Sequence, residues 1–542
     1  MPPPTAYRLS STAHRPPSAV YRLPSTVYRP PSTVYRLPST VYRLPSTVYR
    51  LPSTACYLLI LLVGCTGQES GSNGRTGLPL QGVKLQLAVV GDPELAGAVA
   101  KMRGEWTTQT GSDFQVEQVS EKDLADADSI SVDAVICPSH QLGALSERKQ
   151  IIPLPKKLAG DESRNWSSIF ELLRLREAAW GADVKAVPFG SPLLTCYYRA
   201  DLLKKIGRKP PRTWVTYQEL AALLADRKNL GEAAPPAEAP WCGTIEPLGP
   251  HWAGLMLLAR AAPYAKHRSN YSTLFNIRTM EPLVAGPPMV RALEELMAAA
   301  KLGTPQQLQY DPAAVRATFW QGRCGMAICW PSAATGGEQG KEAQPASDRG
   351  LPADAKKPPE IPVGFIELPG SQEVFDLSRG TWGKRSEDED GHVPLLGVAG
   401  RIGAVAGASA QPEAALQLLL WLSGEEVSPQ VCAASPATTL FRQSHLRFPQ
   451  AWVERCMPVA AAAQYAAVTE QTCLHQQWLF ALRLPGRAEY LSALDDAVQR
   501  AVRGEQSPLE ALYEASVQWQ KITERLGVPQ QRSAYLHSLG LE

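Results

Sequence analysis

Residue types that carry catalytic and metal chemistry are present in this chain, but not at the spacings that such chemistry needs. There is no G-x-S-x-G nucleophile turn, no H-E-x-x-H zinc helix and no metal-spaced group of His and Cys residues. GGEQGKE at 336–342 fails as a phosphate-binding loop, because three residues rather than four separate the glycines and Glu342 replaces the required Ser or Thr. GVAGRIGAV at 397–405 is spaced G-x-x-G-x-x-G, unlike a dinucleotide fingerprint. We therefore expect no catalytic residue, no metal and no cofactor.

The remaining polar candidates depend on the elements that position them. Apolar residues alternate at 83, 85, 87 and 89, which predicts a strand, and Gly91-Asp92-Pro93 predicts a turn, an N-cap and a helix start. Further strands are predicted at 114–119 and 133–137, so strand, helix and strand indicate a parallel sheet covered by helices. Ligands bind such sheets beyond the carboxyl ends of the strands. Ser139 and His140 follow one such end and are expected to line a cleft.

Capping residues predict several helix boundaries further along the chain. Thr216 with Glu219 is predicted to form a capping box, and a buried helix from Trp252 is expected to end at Pro263. A terminal helix is predicted to begin at Ser507 with Pro508 and Glu510, and to end at Gly527, with a partner helix before it. The stretch at 332–360 and the charged run at 384–392 are expected to be exposed loops.

An apolar run at 56–63 stops at Cys65 and changes at once into a polar tether. The run is shorter than the roughly 20 residues of a membrane-spanning helix, but it fits the apolar part of a secretory signal. Leu62-Val63-Gly64-Cys65 resembles the lipobox of bacterial lipoproteins, whose cysteine is lipidated. The alternative is a buried strand that ends in an ordinary cysteine. We expect a signal at 48–64, lipidation at Cys65 and a tether at 65–82.

Upstream of the signal, Tyr7 to Ala55 consists of seven consecutive seven-residue units of the type Tyr-Arg-Leu-Pro-Ser-Thr-Val. Proline in the repeat excludes a coiled coil. The repeat is either an extended cationic arm or a translated DNA repeat upstream of the true start, so residues 1–55 are left out of the fold prediction.

Apolar and charged fractions are those of a globular protein. The formal net charge of +2 gives no electrostatic case for nucleic acid. Besides Cys56 and Cys65 there are eight cysteines, most of which are expected to be small buried apolar residues. No second apolar run reaches spanning length, so the lipid would be the only membrane anchor.

Four motifs, in order, resemble the extracellular solute-binding proteins of family 1, the sugar-type receptors of ABC importers. The segment from Val187 to Leu220 resembles their first crossover, and FWQGRCGMAICWPS at 319–332 their second signature. The segment 393–426 resembles their return strand and helix, and SPLEALYEASVQW at 507–519 their terminal helix. The resemblance covers most of residues 84–527.

The resemblance implies an α/β fold of the type II periplasmic-binding-protein kind, in which two lobes, each a sheet flanked by helices, close about a hinge. It implies crossings near Gly190, Val393 and Ser435. One lobe is then expected at 84–190 plus 393–440, and the other at 191–392 plus 441–542.

The binding residues are inferred partly from this resemblance and partly from position. Ser139 and His140 align with a loop that touches sugar in relatives, and Glu246 and Trp252 with a segment that supplies an acid and an aromatic. Trp330 ends an apolar strand, and Arg401 interrupts a glycine-rich one, where a buried charge needs a partner or a ligand. The expected ligand-binding residues are Ser139, His140, Glu246, Trp252, Trp330, Arg379, Trp382 and Arg401.

These inferences predict a lipid-anchored, monomeric receptor that captures a small solute, expected to be a carbohydrate, and delivers it to ABC permease subunits. It would be exported, periplasmic or at the cell surface, without enzymatic activity and without nucleic-acid partners. Two alternatives stay open: a surface-anchored carbohydrate-active hydrolase, and a lipoprotein that has lost transport and serves as an interaction module.

Overall fold

The computed structural model describes residues 78–160, 165–334, 361–386 and 388–541. The heptad repeat, the signal segment, Cys65 and most of the insertion at 332–360 lie outside the described residues. The strands are β1 Lys84–Val90, β2 Asp113–Val119, β3 Ala134–Pro138, β4 Ala179–Trp180, β5 Asp183–Val184, β6 Val187–Pro188, β7 Thr195–Arg199, β8 Cys242–Ile245, β9 Cys324–Cys329, β10 Val363–Glu367, β11 Glu373–Asp376, β12 Thr381–Lys384, β13 Leu395–Leu396, β14 Arg401–Val405 and β15 Leu479–Phe480. The helices are α1 Pro93–Lys101, α2 Arg103–Thr110, α3 Glu121–Asp126, α4 Leu142–Glu147, α5 Ala200–Lys205, α6 Trp214–Ala225, α7 Arg227–Leu230, α8 Ala253–Ala265, α9 Pro287–Ala300, α10 Pro312–Trp320, α11 Pro412–Leu422, α12 Ser428–Val431, α13 Val459–Cys473, α14 Arg487–Arg503, α15 Pro508–Leu526 and α16 Val528–Leu539.

The first lobe is built on a five-stranded sheet of order β2-β1-β3-β14-β6. Strands β1, β2 and β3 are parallel, whereas β14 runs antiparallel to β3 and to β6. All five residues of β3 are buried, as expected for a central strand that is covered on both faces. Asp92 caps α1 by accepting a hydrogen bond from the Leu95 amide at 3.1 Å, and Pro93 occupies the first helical position. This turn is the one that the sequence predicts.

The second lobe is built on a four-stranded sheet of order β10-β7-β9-β8. Only the β8–β9 pair is parallel. Helix α8 is buried along its whole length, and the carboxylate of Asp495 in α14 accepts the Gly254 amide near its N-terminus at 2.7 Å. Helices α14 and α15 pack together, with the Trp519 indole donating to the Tyr490 carbonyl at 2.7 Å.

Helix α16 contacts both lobes. His537 Nδ1 lies 2.7 Å from Glu147 Oε1 in α4 of the first lobe. Two residues earlier, the Tyr535 hydroxyl bonds Ser272 Oγ at 2.8 Å in the second lobe. Strand β13 pairs in parallel with β15. This pairing connects the segment that returns to the first lobe with the segment that precedes α14.

Several predicted boundaries differ from the observed ones. The N-cap of α6 is Thr213, with Thr216 as its capping-box partner three residues later, because the helix begins at Trp214. Pro263 lies inside α8, in its last turn, where the helix continues to Ala265. The box at Ser507 is confirmed, since the Ser507 hydroxyl caps α15 and Glu510 reaches back.

The charged run at 384–392 is not simply an exposed loop. The Arg385 side chain is buried and donates to the carbonyls of Ser371, Pro263 and Lys266, while it pairs with Glu389. Arg385 thus supplies hydrogen-bond donors to three backbone carbonyls of the second lobe.

Cysteines behave mainly as apolar core residues, as predicted. Among the eight cysteines that the structure describes, all are free and only Cys456 is exposed. No helix in the described ranges combines the length and the apolar character that crossing a membrane requires.

Candidate functional site

A cavity of about 570 Å³ lies where the ends of β3 and β9 face each other. The first lobe supplies His140, which follows β3, and Arg401, which begins β14. The second lobe supplies Trp252 and Trp330. The cavity is within the range of small-molecule sites, roughly 300–1,000 Å³. Four of the eight predicted ligand-binding residues therefore line one space.

Two tryptophans form an aromatic wall of this cavity. The ring centroids of Trp252 and Trp330 lie 5.6 Å apart with an interplanar angle of 49°. Trp330 is 3% exposed, and its indole donates to the Pro436 carbonyl at 3.0 Å. Arg316 holds the other side by donating to the Trp330 carbonyl at 3.2 Å. Trp330 is thus fixed from both directions, whereas Trp252 is only partly buried.

Three polar side chains, those of Glu121, His140 and Arg487, line the same cavity as the two tryptophans. His140 Nε2 lies 3.2 Å from Glu121 Oε2, and Arg487 lines the same cavity from the start of α14. Burial and the charge of Arg487 lower the pKa of His140 to about 4. The hydrogen bond to His140 lowers the pKa of Glu121 to about 2. At neutral pH the imidazole is therefore neutral and donates to an ionised carboxylate.

The Arg487 guanidinium makes no hydrogen bond or ion pair with any side chain or carbonyl of the described residues, and its Nε is buried. Burial lowers the pKa of Arg487 to about 10, so the group stays charged at neutral pH. Its five donors are left for a ligand or for water.

Arg401 is an ion-pair member at the cavity wall. Its Nε donates to Asp92 Oδ2 at 2.9 Å, and the pair is almost fully buried. Ser435 Oγ donates to the same carboxylate oxygen at 2.5 Å. The buried charge thus has the partner that burial requires. Glycine precedes it because Gly400 has φ +128°, and a Cβ there would meet Ser191 Oγ at 2.1 Å.

Comparison with known proteins identifies the family. A profile described as "bacterial extracellular solute-binding protein" matches residues 103–438, more than half of the chain. The chain belongs to this family. No protein of curated function matches the chain at the sequence level.

Solved structures share the fold of this solute-binding protein. An ABC transporter solute-binding protein from Agrobacterium radiobacter K84, in complex with ribitol, is 19% identical with a TM-score of 0.58, covering 82% of this chain and 99% of the other. The sugar-binding protein MalE from Xanthomonas citri is 15% identical with a TM-score of 0.59, covering 83% and 100%. Maltose-bound MalE3 of T. maritima is 15% identical with a TM-score of 0.55, covering 81% and 99%. The predicted two-lobe α/β fold is confirmed, and the chain, as a member of an extracellular family, is an exported protein.

The structure places the other four candidates of this solute-binding protein outside the cavity lining. Ser139 is buried behind the wall, where its amide donates to the Gly400 carbonyl at 3.0 Å. Glu246 is buried in the second lobe and accepts from Arg260 Nη2 at 2.5 Å and from the Tyr217 hydroxyl at 3.1 Å.

Arg379 and Trp382 lie on the β11–β12 hairpin rather than in the cavity. The Arg379 side chain is 81% exposed. Trp382 packs on Phe375 and Tyr264 with ring centroids 5.4 and 6.0 Å away. Its closeness in sequence to the return crossing predicted that the hairpin lies near the cavity. In the structure β11 packs on α8, so the hairpin lies away from the cavity.

The sequence interpretation missed Glu121 and Arg487. Glu121 follows the carboxyl end of β2, so the same rule that nominated His140 applies to it. Arg487 begins α14 directly after Gly486, which has φ +82°. Glu121, which lines the same cavity, lies more than 300 positions earlier in the chain, so no local pattern indicates that the two residues share a site.

Proposed function

We propose that this solute-binding protein captures a carbohydrate between its lobes and delivers it to an ABC importer. The observation that carries the proposal is the cavity in which Trp252 and Trp330 face Glu121, His140 and Arg487. Aromatic rings stack on the apolar faces of sugar rings, while carboxylate, imidazole and guanidinium groups bond hydroxyls. Sites of this kind combine apolar walls with a few polar groups. The ribitol- and maltose-bound structures of the same fold support this ligand class.

Binding would shift an equilibrium between open and closed lobes about the crossings near Gly190, Val393 and Ser435. Gly190 supports this placement, because it has φ +108° and a Cβ there would meet the Thr439 carbonyl oxygen at 2.7 Å. The first and third connecting segments thus run side by side. Within this proposal the lobe boundaries are 84–190 plus 393–440 and 191–392 plus 441–542.

A thermal-shift series tests the ligand class. Ribitol, mannitol, tagatose and maltose are added to the purified protein, because binding to the folded state alone raises the melting temperature. Trp252→Ala should bind the responding sugar roughly ten-fold more weakly, equivalent to about 1.4 kcal/mol. Trp382→Ala removes the same side chain outside the cavity and should bind normally. Unchanged affinity in Trp252→Ala would remove the cavity from the proposal.

The proposal includes no chemical step. A glycosidase needs one carboxyl group held protonated as a general acid opposite a second carboxylate. In the cavity, Glu121 has a lowered pKa, and Asp311 Oδ1 caps α10 by accepting the Ala314 amide at 2.8 Å. Glu121 is therefore not suited to be the protonated acid, and Asp311 is engaged as a helix cap. Release of p-nitrophenol from p-nitrophenyl glycosides would favour the hydrolase alternative instead.

The lipid anchor at Cys65 belongs to the same proposal. A short apolar run ending in Leu-Val-Gly-Cys is its support. Cys65→Ser should release the protein from the membrane fraction and remove the acyl mass in intact-mass analysis, whereas Cys56→Ser should not. Membrane retention of Cys65→Ser would contradict the anchor.

Binding to permease subunits is tested by co-purification with the sugar present and absent. The proposed receptor is a monomer. A lipoprotein that serves as an interaction module would bind neither the sugar nor the permease.

A further inference from the structure

A second cavity, of about 470 Å³, shares no lining residue with the cavity lined by Trp252, Trp330 and Arg487, which is called the sugar cavity after the proposed function. Its walls come from the loop after α8, from β15 with the segment that follows it, and from α16. Aromatic rings of Tyr271, Trp478 and Phe480 line it together with several leucines. Tyr271 is 70% exposed, so the cavity is open to solvent at this point.

The charged side chains that line this cavity are all basic. Lys266, Arg268 and Arg483 line it, and none of the described lining residues is acidic. The Lys266 ammonium has no hydrogen-bond or ion-pair partner among the described residues. Burial lowers the pKa of Lys266 and is its only resolved cause. A half-buried cation without a partner favours an incoming anion.

Arg483 adds a second, more deeply buried cation. It is 1% exposed, and its guanidinium lies 3.6 Å from the centroid of the Phe480 ring. Its terminal nitrogens donate to the carbonyls of Glu177 and Ser538 at 2.8 and 2.9 Å, while its Nε has no partner in the described part of the chain. No carboxylate therefore neutralises this wall by direct contact.

We propose that this cavity is a second binding site, which takes an anion carried on an apolar body, such as a carboxylate or phosphate on an alkyl chain or aromatic ring. Lys266 and Arg268 bind the anionic group near the open side, and the leucines and aromatic rings enclose the apolar part. The first cavity balances its cations with the carboxylates of Glu121 and Asp311, whereas the wall of this one carries cations alone, which favours an anionic ligand over a neutral sugar. The site is therefore distinct in ligand chemistry from the sugar cavity.

Decanoate and its cationic counterpart decyltrimethylammonium are the matched probes, titrated by calorimetry below their micelle-forming concentrations into the purified protein. We expect decanoate to bind with a stoichiometry of one and the cation not to bind. Lys266→Gln combined with Arg268→Gln should weaken decanoate binding roughly ten-fold or more, since the charged hydrogen bonds to the carboxylate are lost. Lys204→Gln combined with Lys205→Gln on α5 makes the same charge change outside the cavity and should bind as the parent does.

Two sources of such an anion are distinguished by a vesicle arm. A lipid headgroup is the source if the protein sediments with phosphatidylglycerol vesicles, and if this sedimentation is lost in the Lys266/Arg268 variant and is competed by decanoate. Decanoate binding without vesicle binding would identify a soluble acid. Equal decanoate affinity in the Lys266/Arg268 variant, or equal binding of the cationic probe, would overturn the proposal. Melting temperatures of both variants near that of the parent show that they are folded. Maltose or ribitol should not displace decanoate, because the two cavities are separate.

Discussion

At the residue scale, Arg260 and Glu246 form an ion pair in the interior of the second lobe. Arg260 is fully buried, Glu246 is 2% exposed, and the guanidinium lies 4.0 Å from the centroid of the Trp214 ring. Removing one member leaves the other charge buried without compensation. The pair therefore stabilises the fold only as a unit.

Arg260→Met should lower the free energy of unfolding by about 3–5 kcal/mol in urea denaturation. Adding Glu246→Gln should recover part of this loss, because the stranded charge is then gone. Sugar affinity of the folded fraction should stay unchanged in both variants. A clear loss of sugar affinity without a loss of stability would show that Glu246 binds the ligand, as its sequence position predicted.

His445 is a buried residue whose hydrogen bonds require the neutral ring. The Phe441 amide donates to Nδ1 at 3.2 Å, and Nε2 lies 3.1 Å from Ser428 Oγ. Burial, and to a lesser extent the charge of Arg442, lower the pKa of His445 to about 3. Protonation would therefore remove the acceptor that the Phe441 amide needs.

The resulting pH dependence has a defined sign. Between the ordinary histidine pKa of about 6.5 and the folded value of about 3, the unfolded chain binds a proton that the folded chain does not. The contribution of His445 is present above about pH 6.5 and is lost at about 1.4 kcal/mol per pH unit as the pH falls below it. In denaturation series from pH 7 to pH 4, His445→Gln should show a shallower loss of stability than the parent. Parallel curves for the two proteins would contradict this assignment.

At the element scale, α15 begins with a capping box. The Ser507 hydroxyl accepts from the Glu510 amide at 3.4 Å, and Glu510 Oε2 accepts from the Ser507 amide at 3.1 Å. These bonds satisfy amide groups that the first helical turn leaves without partners. Because α15 packs on α14, the start of the helix affects the second lobe.

Ser507→Ala should lower the free energy of unfolding by about 1 kcal/mol, the usual contribution of a lost cap. Ser516→Ala lies in the middle of the same helix, where alanine has the higher helix propensity, and should leave stability unchanged or raise it slightly. Denaturant melts of the two single variants separate the cap from a general effect of serine removal. Equal effects in both would show that the cap is not the cause.

The cap of α6 shows why helix boundaries are harder to predict than helices. Thr213 and Thr216 are both good capping residues, and the sequence interpretation chose Thr216 with Glu219. The structure begins the helix three residues earlier, where Thr213 caps it and the Trp214 amide also donates to the Gly370 carbonyl at 3.1 Å. That partner is distant in sequence, so the local pattern contained no information about it.

At the scale of the whole molecule, the fold was largely predictable and the site only in part. Alternating and capped segments predicted the first sheet up to β3, because its strands and helices are consecutive in the chain. His140 was nominated by the strand-end rule, which depends on topology alone, and it lines the candidate cavity. Arg487 was not found, since it reaches the cavity only after α14 has packed on α8. Trp382 was nominated by its closeness in sequence to a crossing, which does not determine where a hairpin folds.

Because Cys456 is exposed, it offers a place to attach a fluorescent dye that reports ligand binding. It stands two residues after Glu454, whose carboxylate pairs at 3.3 Å with Arg316, a residue of the sugar cavity wall. With Cys56 and Cys65 replaced by serine, we expect a maleimide dye to couple at a single equivalent, with labelling slowed because burial raises the pKa of the Cys456 thiol. A ligand that moves Arg316 should then change the emission of the dye, as measured in a fluorescence titration. Coupling of several equivalents would show that further thiols open in solution, whereas a single labelled site would make this serine variant an optical sensor of ligand capture.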